Sequence, residues 1–540
     1  MKRYLPPDSC PQVHDLVALA ADHASARDYE RAIDLHGRAL DILLETDARP
    51  GLVEGKAMLR NRRAELFVAL GRFQQALGEL DRVLAIRGDL KDPGLVIRAL
   101  VVLAQIHAIY GEYGEALASL ENARTLAEAL GAPLELGRVL ASLGALQARM
   151  GEHHAGGESL RQVLEILPES VQDSESALLR ASALTQLGLA AFRERQAELA
   201  RERYRQSLEI LARWGPESEL EAETWRLMGV LWSVRGRFSE ALRHLRKALR
   251  MYLLNRMPLG RARVYNSLGQ TCLEMGRLDD ALLFLEKARW ICEELGADAE
   301  LAAIYGKLGA VHLNREDYLQ AVELHRRDVA VCRRFGNSRA LAFATRNLGL
   351  SLRARGDLSE ARRCLEEALG SFLSLQDRAL AMQVHLDLAE VWLDWGRLPE
   401  AEESLQRSRD ELHSDSPDSD KARIWLLTGT LQRLRQRWSE AQEAYLEALR
   451  ILAEAGPTGA LARVRYELGQ VHAEAQDHDQ AVYHLHECLV LARQLGATHL
   501  ARKAMRRLDR LDEVEVVNLL MEELEAGQES ESEAVLSVSP

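Results

Sequence analysis

The feature that most constrains this chain is a small residue that returns every 40 to 44 positions. The series runs Ala20, Ala64, Ala104, Gly144, Gly188, Gly229, Gly269, Gly309, Gly349, Ala389, Gly429 and Gly469. Its steps are 44, 40, 40, 44 and 41, and then 40 six times. Twelve residues after each anchor stands a second small residue, Ala in eleven registers and Gly156 in the other. Leu precedes the anchor in nine of the twelve. A period of this length marks an array of one supersecondary unit, in which each unit buries its apolar face only by stacking on its neighbours.

The stretch "LGQTCLEMGRLDDALLFLEKA", residues 268 to 288, shows what the unit is. It reads as a helix A, a short turn and a helix B. Glycine inside a helix costs about 1 kcal/mol relative to alanine, so Gly269 needs a compensating gain. Small residues on A and B let the two backbones approach closely, and large side chains then interlock around them. Gly276 falls where helix A ends, at the place for a left-handed C-cap; Gly71, Gly111, Gly151, Gly236, Gly356 and Gly396 match it. Ser239, Asp279, Ser359 and Ser439 are expected to cap the start of helix B.

This skeleton resembles the tetratricopeptide repeat, whose helix A carries Leu-Gly with an aromatic three residues later and whose helix B carries Ala. The aromatic slot holds Phe67, Trp232 and Trp392, with His23, His107, His312 and His472 elsewhere. At a repeat-register position these histidines read as structural. The 40-residue form, with helix B prolonged to a Gly such as Gly131, Gly296, Gly336 or Gly496, is similar to repeats of the kinesin light chain, Pins-type polarity scaffolds and bacterial peptide-sensing and maltose-regulator-like proteins. The resemblance implies an all-α fold: a right-handed α-solenoid of about twelve helix pairs with a C-terminal capping helix. The expected boundaries are an N-terminal extension over 1–12, repeats over 13–496, a capping helix over 497–511 and an acidic tail over 512–540. Longer joints are expected near 46–55 and 167–176, and "HSDSPDSD", 413 to 420, should shorten helix B of the tenth repeat.

Composition narrows the function. Apolar runs never reach the roughly 18 to 20 residues that cross a bilayer. The opening "MKRYLPPDSCPQVHD" has no apolar region of a secretory kind, and six cysteines without a CxxC pair make neither a disulfide framework nor a zinc site. A reducing cytoplasm is therefore expected, and the strong bias to Arg over Lys points to a bacterial genome. There is no GxxxxGK[ST], GxGxxG after a strand, HExxH or GxSxG. His153–His154 falls at a turn, and pairs such as Glu293–Glu294 lie on exposed faces of helix B. No enzyme, cofactor or metal is expected.

What remains is a groove lined by helix A. The resemblance places groove-facing positions six and three before the anchor and one, four and five after it. Arg98, Arg138, Arg263, Arg423 and Arg463 stand six before; Asn61, Arg226, Asn266 and Arg346 stand three before. Arg149, Arg193, Arg353 and Arg433 follow the anchor by four or five. These eleven Arg outnumber six carboxylates (Glu65, Glu223, Glu274, Glu390, Asp394 and Glu474) on the same positions, although the chain as a whole carries −13. The reading is a protein-interaction scaffold whose groove binds a peptide or partner, with acidic ligands suited to Arg forks. The alternative is a bacterial signal-transduction sensor that acts through a separate output partner. Nucleic acid is disfavoured by overall acidity and the lack of interleaved aromatics. The segment from Asp512 carries nine carboxylates and no Lys or Arg, and is itself a candidate ligand for the groove near Arg423 and Arg463.

Overall fold

The repeat register becomes a row of antiparallel helix pairs. A computed structural model describes residues 11–25, 28–45, 52–70, 72–168, 173–335, 338–413, 416–453, 458–495 and 497–511. Among the described residues there are 25 helices in repeated pairs and no strand. The chain divides into two compact units, Met1–Ser267 and Leu268–Pro540. Each is an α-solenoid in which a helix packs on its partner and on the next pair along the chain.

The anchors explain the packing. A Cβ on Gly269 would lie 2.6 Å from Cγ of Leu285, closer than real Cβ atoms come. The same relation, sixteen residues long, recurs as Gly144 with Leu160, Gly188 with Tyr204, Gly229 with Leu245, Gly309 with His325, Gly349 with Leu365, Gly429 with Tyr445 and Gly469 with Leu485. The anchor is thus a socket for a large side chain of helix B, one turn beyond the small residue. The small B residue supplies a second reason for glycine, because the Ala281 carbonyl oxygen sits 3.3 Å from the Gly269 Cβ position. Leu285, Ala281 and Ala288 are fully buried.

Helix A ends where expected. Gly111, Gly151, Gly236, Gly276, Gly356 and Gly396 all have positive φ, seven residues after their anchors; Gly71 lies outside the described residues. In four registers a non-glycine takes the same left-handed slot, namely Arg195, Glu316, Gln436 and Gln476. The expected caps of helix B are displaced. Ser239 and Asp279 are the second residues of α12 (Phe238–Leu254) and α14 (Leu278–Leu295), and Ser359 has the same place in α18 (Leu358–Ser374). The true N-cap positions are Arg237, Arg277 and Asp357, none with a capping side-chain hydrogen bond. The tight turn after a left-handed residue brings each helix start two residues earlier than a polar side chain suggests. Side-chain caps do form at Asp173, Ser218, Asp377, Thr458 and Asp477.

The histidines in the aromatic slot share one arrangement. His23, His107, His312 and His472 each place Nδ1 within 3.3 Å of a carboxylate five residues later, on Asp28, Glu112, Asp317 and Asp477. These pairs tie the end of helix A to the start of helix B. The shortened tenth helix B is α20 (Leu398–Asp410), 13 residues long. Five cysteines, Cys272, Cys292, Cys332, Cys364 and Cys488, are free and buried.

In the second unit the last described helix, α25 (Thr498–Asp509), reaches far back along the chain. His499 Nδ1 lies 2.8 Å, and Arg502 Nη2 3.1 Å, from Glu316 Oε1. Glu316 is the left-handed residue between α15 (Asp298–Asn314) and α16 (Tyr318–Phe335). The Cβ position of Gly276 is likewise 3.9 Å from the Leu495 carbonyl. Both contacts span more than 180 residues.

Candidate functional site

In unit 1 the A helices wall a channel of about 720 Å³. Its sides come from α5 (Gly94–Tyr110), α7 (Pro133–Met150) and α9 (Ser174–Arg193). Val101, Ala104, Ala108 and Ile109 of α5, Ala141 and Ala145 of α7, and Leu178 and Leu179 of α9 give it an apolar lining. Gln105, Ser142, Ser182 and Gln186 place amide and hydroxyl groups along it.

Charge beside this channel is mostly paired: two arginines meet two carboxylates, and Arg149 adds a third arginine to the lining. Arg98 Nη2 lies 3.3 Å from Glu135 Oε1 and 3.8 Å from Glu175 Oε1. Arg138 pairs with Glu175, and its Nε is 3.8 Å from Glu135 Oε2. The two arginines expected to form a ladder are therefore held together by two carboxylates. Arg149 donates to the Ala108 carbonyl at 2.8 Å, capping the last turn of α5.

The other unit 1 candidates are placed structurally. Asn61 is buried and donates to the Leu95 carbonyl at 2.8 Å, joining α3 (Leu52–Ala69) to α5. Arg226 forms a fork on Glu223 and reaches Ser267 Oγ at 3.1 Å. Burial pushes the Glu223 carboxyl up, but Arg226 and Arg263 outweigh it and hold it below its usual range. Arg193 is exposed at the end of α9. Asn266 is half-buried on α13 (Pro258–Glu274).

Unit 2 gathers its candidates into one network over four A helices, α17 (Ser338–Arg355), α19 (Arg378–Asp394), α21 (Asp418–Leu434) and α23 (Gly459–Glu474). Arg346 pairs with Asp387, and Arg423 reaches Asp387 at 2.7 Å and Glu390 at 3.2 Å. Arg353 pairs with Glu390 and with Asp394 at 2.6 Å. Arg463 Nη1 lies 3.4 Å from Glu390 Oε1. Arg433 faces Glu474 at 3.3 Å and Glu467 at 3.7 Å. Glu390 is buried, which alone would raise its carboxyl, yet Arg423, Arg353 and Arg463 hold it at about 2. Asp387 and Glu467 both stand two before the anchor, a register outside the five groove positions read from the sequence, so the excess of arginine is smaller than those positions suggest. The acidic segment 512–540 lies outside the described residues.

Among the described residues no group of three or more His, Cys, Asp or Glu could hold a metal, and no helix is long and apolar enough to cross a membrane. The paired small residues, the left-handed turns and the 40-residue step agree with the model of the MalT-like TPR region, which matches residues 137–464. The chain belongs to the MalT-like TPR family. No curated protein matches the sequence. Among solved structures, this MalT-like TPR chain is similar to a Rap protein complexed with the competence and sporulation factor, at 16% identity, with 66% of this chain and 98% of that one covered and a TM-score of 0.50. Apo RapI gives 12%, 54% and 99% with a TM-score of 0.43, and BtubC (BKLC) from P. vanneervenii gives 19%, 43% and 92% with 0.35. The first likeness is one of fold.

Proposed function

We propose that the chain is a protein-interaction scaffold that binds a peptide, or an extended segment of a partner protein, in the unit 1 channel. The observation that carries this reading is the channel itself. Its volume of about 720 Å³ lies in the range of roughly 300–1,000 Å³ typical of ligand sites, and it combines apolar walls with a few convergent polar groups. Gln105 and Gln186 offer both donors and acceptors, which suits the backbone of an extended peptide. Apolar side chains of that peptide would lie on Ile109, Leu178 and Leu179. The balanced Arg98, Arg138, Glu135 and Glu175 cluster supports no preference for acidic ligands here. A Rap protein of similar fold was crystallised with a bound factor, which supports the use of such an array for binding.

The test is selection of decapeptides from a random display library on the full-length chain, followed by anisotropy titration of the winners. Ala145→Trp fills the channel and is expected to weaken them at least tenfold. Failure to select any peptide, or equal affinity for the filled variant, would refute the reading.

A regulatory sensor acting through a separate output partner is the second reading, and the same channel supports it. Its walls belong to three successive A helices, so a ligand that spans them biases the pitch between repeats. Peptide-induced changes in hydrogen exchange confined to the lining helices would leave a plain scaffold; changes that spread through unit 1 favour the sensor.

A further inference from the structure

We propose that the Arg463 guanidinium is a docking point for a ligand carboxylate, and that docking there releases a strut tying α23 to α19. The site lies in unit 2 and does not use the unit 1 channel.

Arg463 differs from the other arginines of its network. Asp387 and Glu390, almost fully buried, each take two close guanidiniums at least. Arg346, Arg353 and Arg423 are well enclosed, whereas the Arg463 side chain is 43% exposed. Its single hydrogen bond among the described residues is the 3.4 Å contact to Glu390 Oε1, an oxygen that Arg423 already approaches at 3.2 Å. A guanidinium has five N–H donors in a fork that matches a carboxylate. Arg463 therefore keeps most of its fork open to solvent.

Charge counting agrees. Arg346, Arg353, Arg423 and Arg463 face three carboxylates, Asp387, Glu390 and Asp394. Beside them, Arg433, Arg463 and Lys503 act on Glu467, and Arg433 also meets Glu474. Over the whole cluster six cations meet five carboxylates, so one positive charge is left over, and Arg463 is the most exposed of the arginines.

The link is also structurally odd. It joins residues 73 apart and so passes over α21, while the other bonds of this network join helices one repeat apart. An arriving carboxylate can take two N–H groups of Arg463 in a bidentate pair. Glu390 loses only its weakest partner, because Arg353 and Arg423 stay on it. The exchange costs the network little and removes its one tie, among the described residues, that spans two repeats.

Two sources carry this chemistry: a separate acidic peptide, and the carboxylates of the chain's own segment 512–540. The probe is a labelled decapeptide of alternating Glu and Leu with an amidated end, and its control has Gln for Glu. On the full-length chain at low salt, the Glu probe is expected to bind at least tenfold tighter than the Gln control. Arg463→Gln should abolish that preference, and Arg463→Lys, which keeps the charge but loses the fork, should weaken it at least threefold. Ala145→Trp in unit 1 should leave it intact. Tighter probe binding in Glu522→Gln/Glu523→Gln/Glu525→Gln assigns the site to the chain's own segment; unchanged binding assigns it to a separate ligand. Saturation with the Glu probe should speed hydrogen exchange in α21. The proposal is overturned if both probes bind equally, if neither binds, or if the preference survives in Arg463→Gln with an unchanged melting curve.

Discussion

Gly269 stands where a Cβ would come within 2.6 Å of Leu285 Cγ, sixteen residues further along the chain. The nearer neighbours of that Cβ include the Ala281 carbonyl, which is backbone and cannot rotate away. Gly269→Ala should therefore destabilise the protein by about 1–3 kcal/mol through overpacking. Gly370 is the contrast: it is exposed in α18 with nothing within 4 Å of its Cβ position. Gly370→Ala should gain about 0.5–1 kcal/mol of helix propensity. Thermal melts of the two variants should move in opposite directions.

The left-handed slot after helix A gives a second pair. Gly356 occupies it at φ 97° and Gln436 at φ 61°. A side chain in this conformation costs about 1 kcal/mol or more. Gly356→Ala should lower stability by about that amount, while Gln436→Gly should be neutral or mildly stabilising. Urea midpoints at constant slope would report both.

Buried charge in unit 2 should be asymmetric in its importance. Asp387 is 1% exposed and receives Arg346 and Arg423, whereas Asp394 is 46% exposed and receives Arg353. Asp387→Ala leaves two guanidiniums under-compensated and should cost about 3–5 kcal/mol. Asp394→Ala should cost roughly 0–1 kcal/mol. Equal losses in denaturant titrations would show that the network is not organised around Asp387.

Asp328 gives a pH dependence. It is buried in α16, its Oδ1 accepts from the Cys332 thiol at 3.4 Å, and its Oδ2 lies 3.0 Å from the Gly306 Cβ position. Burial pushes its carboxyl up to about 6, against a smaller lowering by Cys332. A raised pKa contributes stability that is complete below the unfolded value of about 3.9 and is lost as pH rises through 6. Asp328→Asn should thus melt close to the parent at pH 4 and gain on it up to pH 7, on the order of 1–2 kcal/mol. Neighbouring His325, lowered to about 4 by burial, slopes the other way in both proteins, so the difference between them isolates Asp328.

Most of the fold was legible because its determinants are local and periodic. Gly276, Ala281 and the Leu before most anchors repeat in register, and a Ser- and Asp-rich stretch such as 413–420, which keeps the 40-residue step, visibly shortens the helix before it. The socket partner, Leu285 or Tyr445, was less legible: the position accepts Leu, Tyr or His, so it carries a volume and not a residue type. The site was harder. Arg346 and Arg423 can be placed by counting from an anchor, but what they do depends on Asp387, which lies in a different register and comes into reach only when successive A helices stack. The unit 1 channel is made of Ala, Leu and Gln that look like ordinary core and surface, and only their absence of a covering neighbour makes them a wall.

A linear array has two free ends from which helix pairs can peel away one at a time. Unit 2 changes that topology where His499 and Arg502 meet Glu316. With α25 fastened to an early turn, the unit behaves as a hoop, and α25 cannot peel away without also disturbing the turn between α15 and α16. Opening anywhere between those points must also work against the closure of the intervening chain, whose entropy grows only slowly with its length. Because the clasp consists of exposed polar contacts and is correspondingly thin, it is the natural place for the hoop to be undone, and Glu316→Ala, which leaves only the approach of Gly276 to the Leu495 carbonyl, would let α25 fray first.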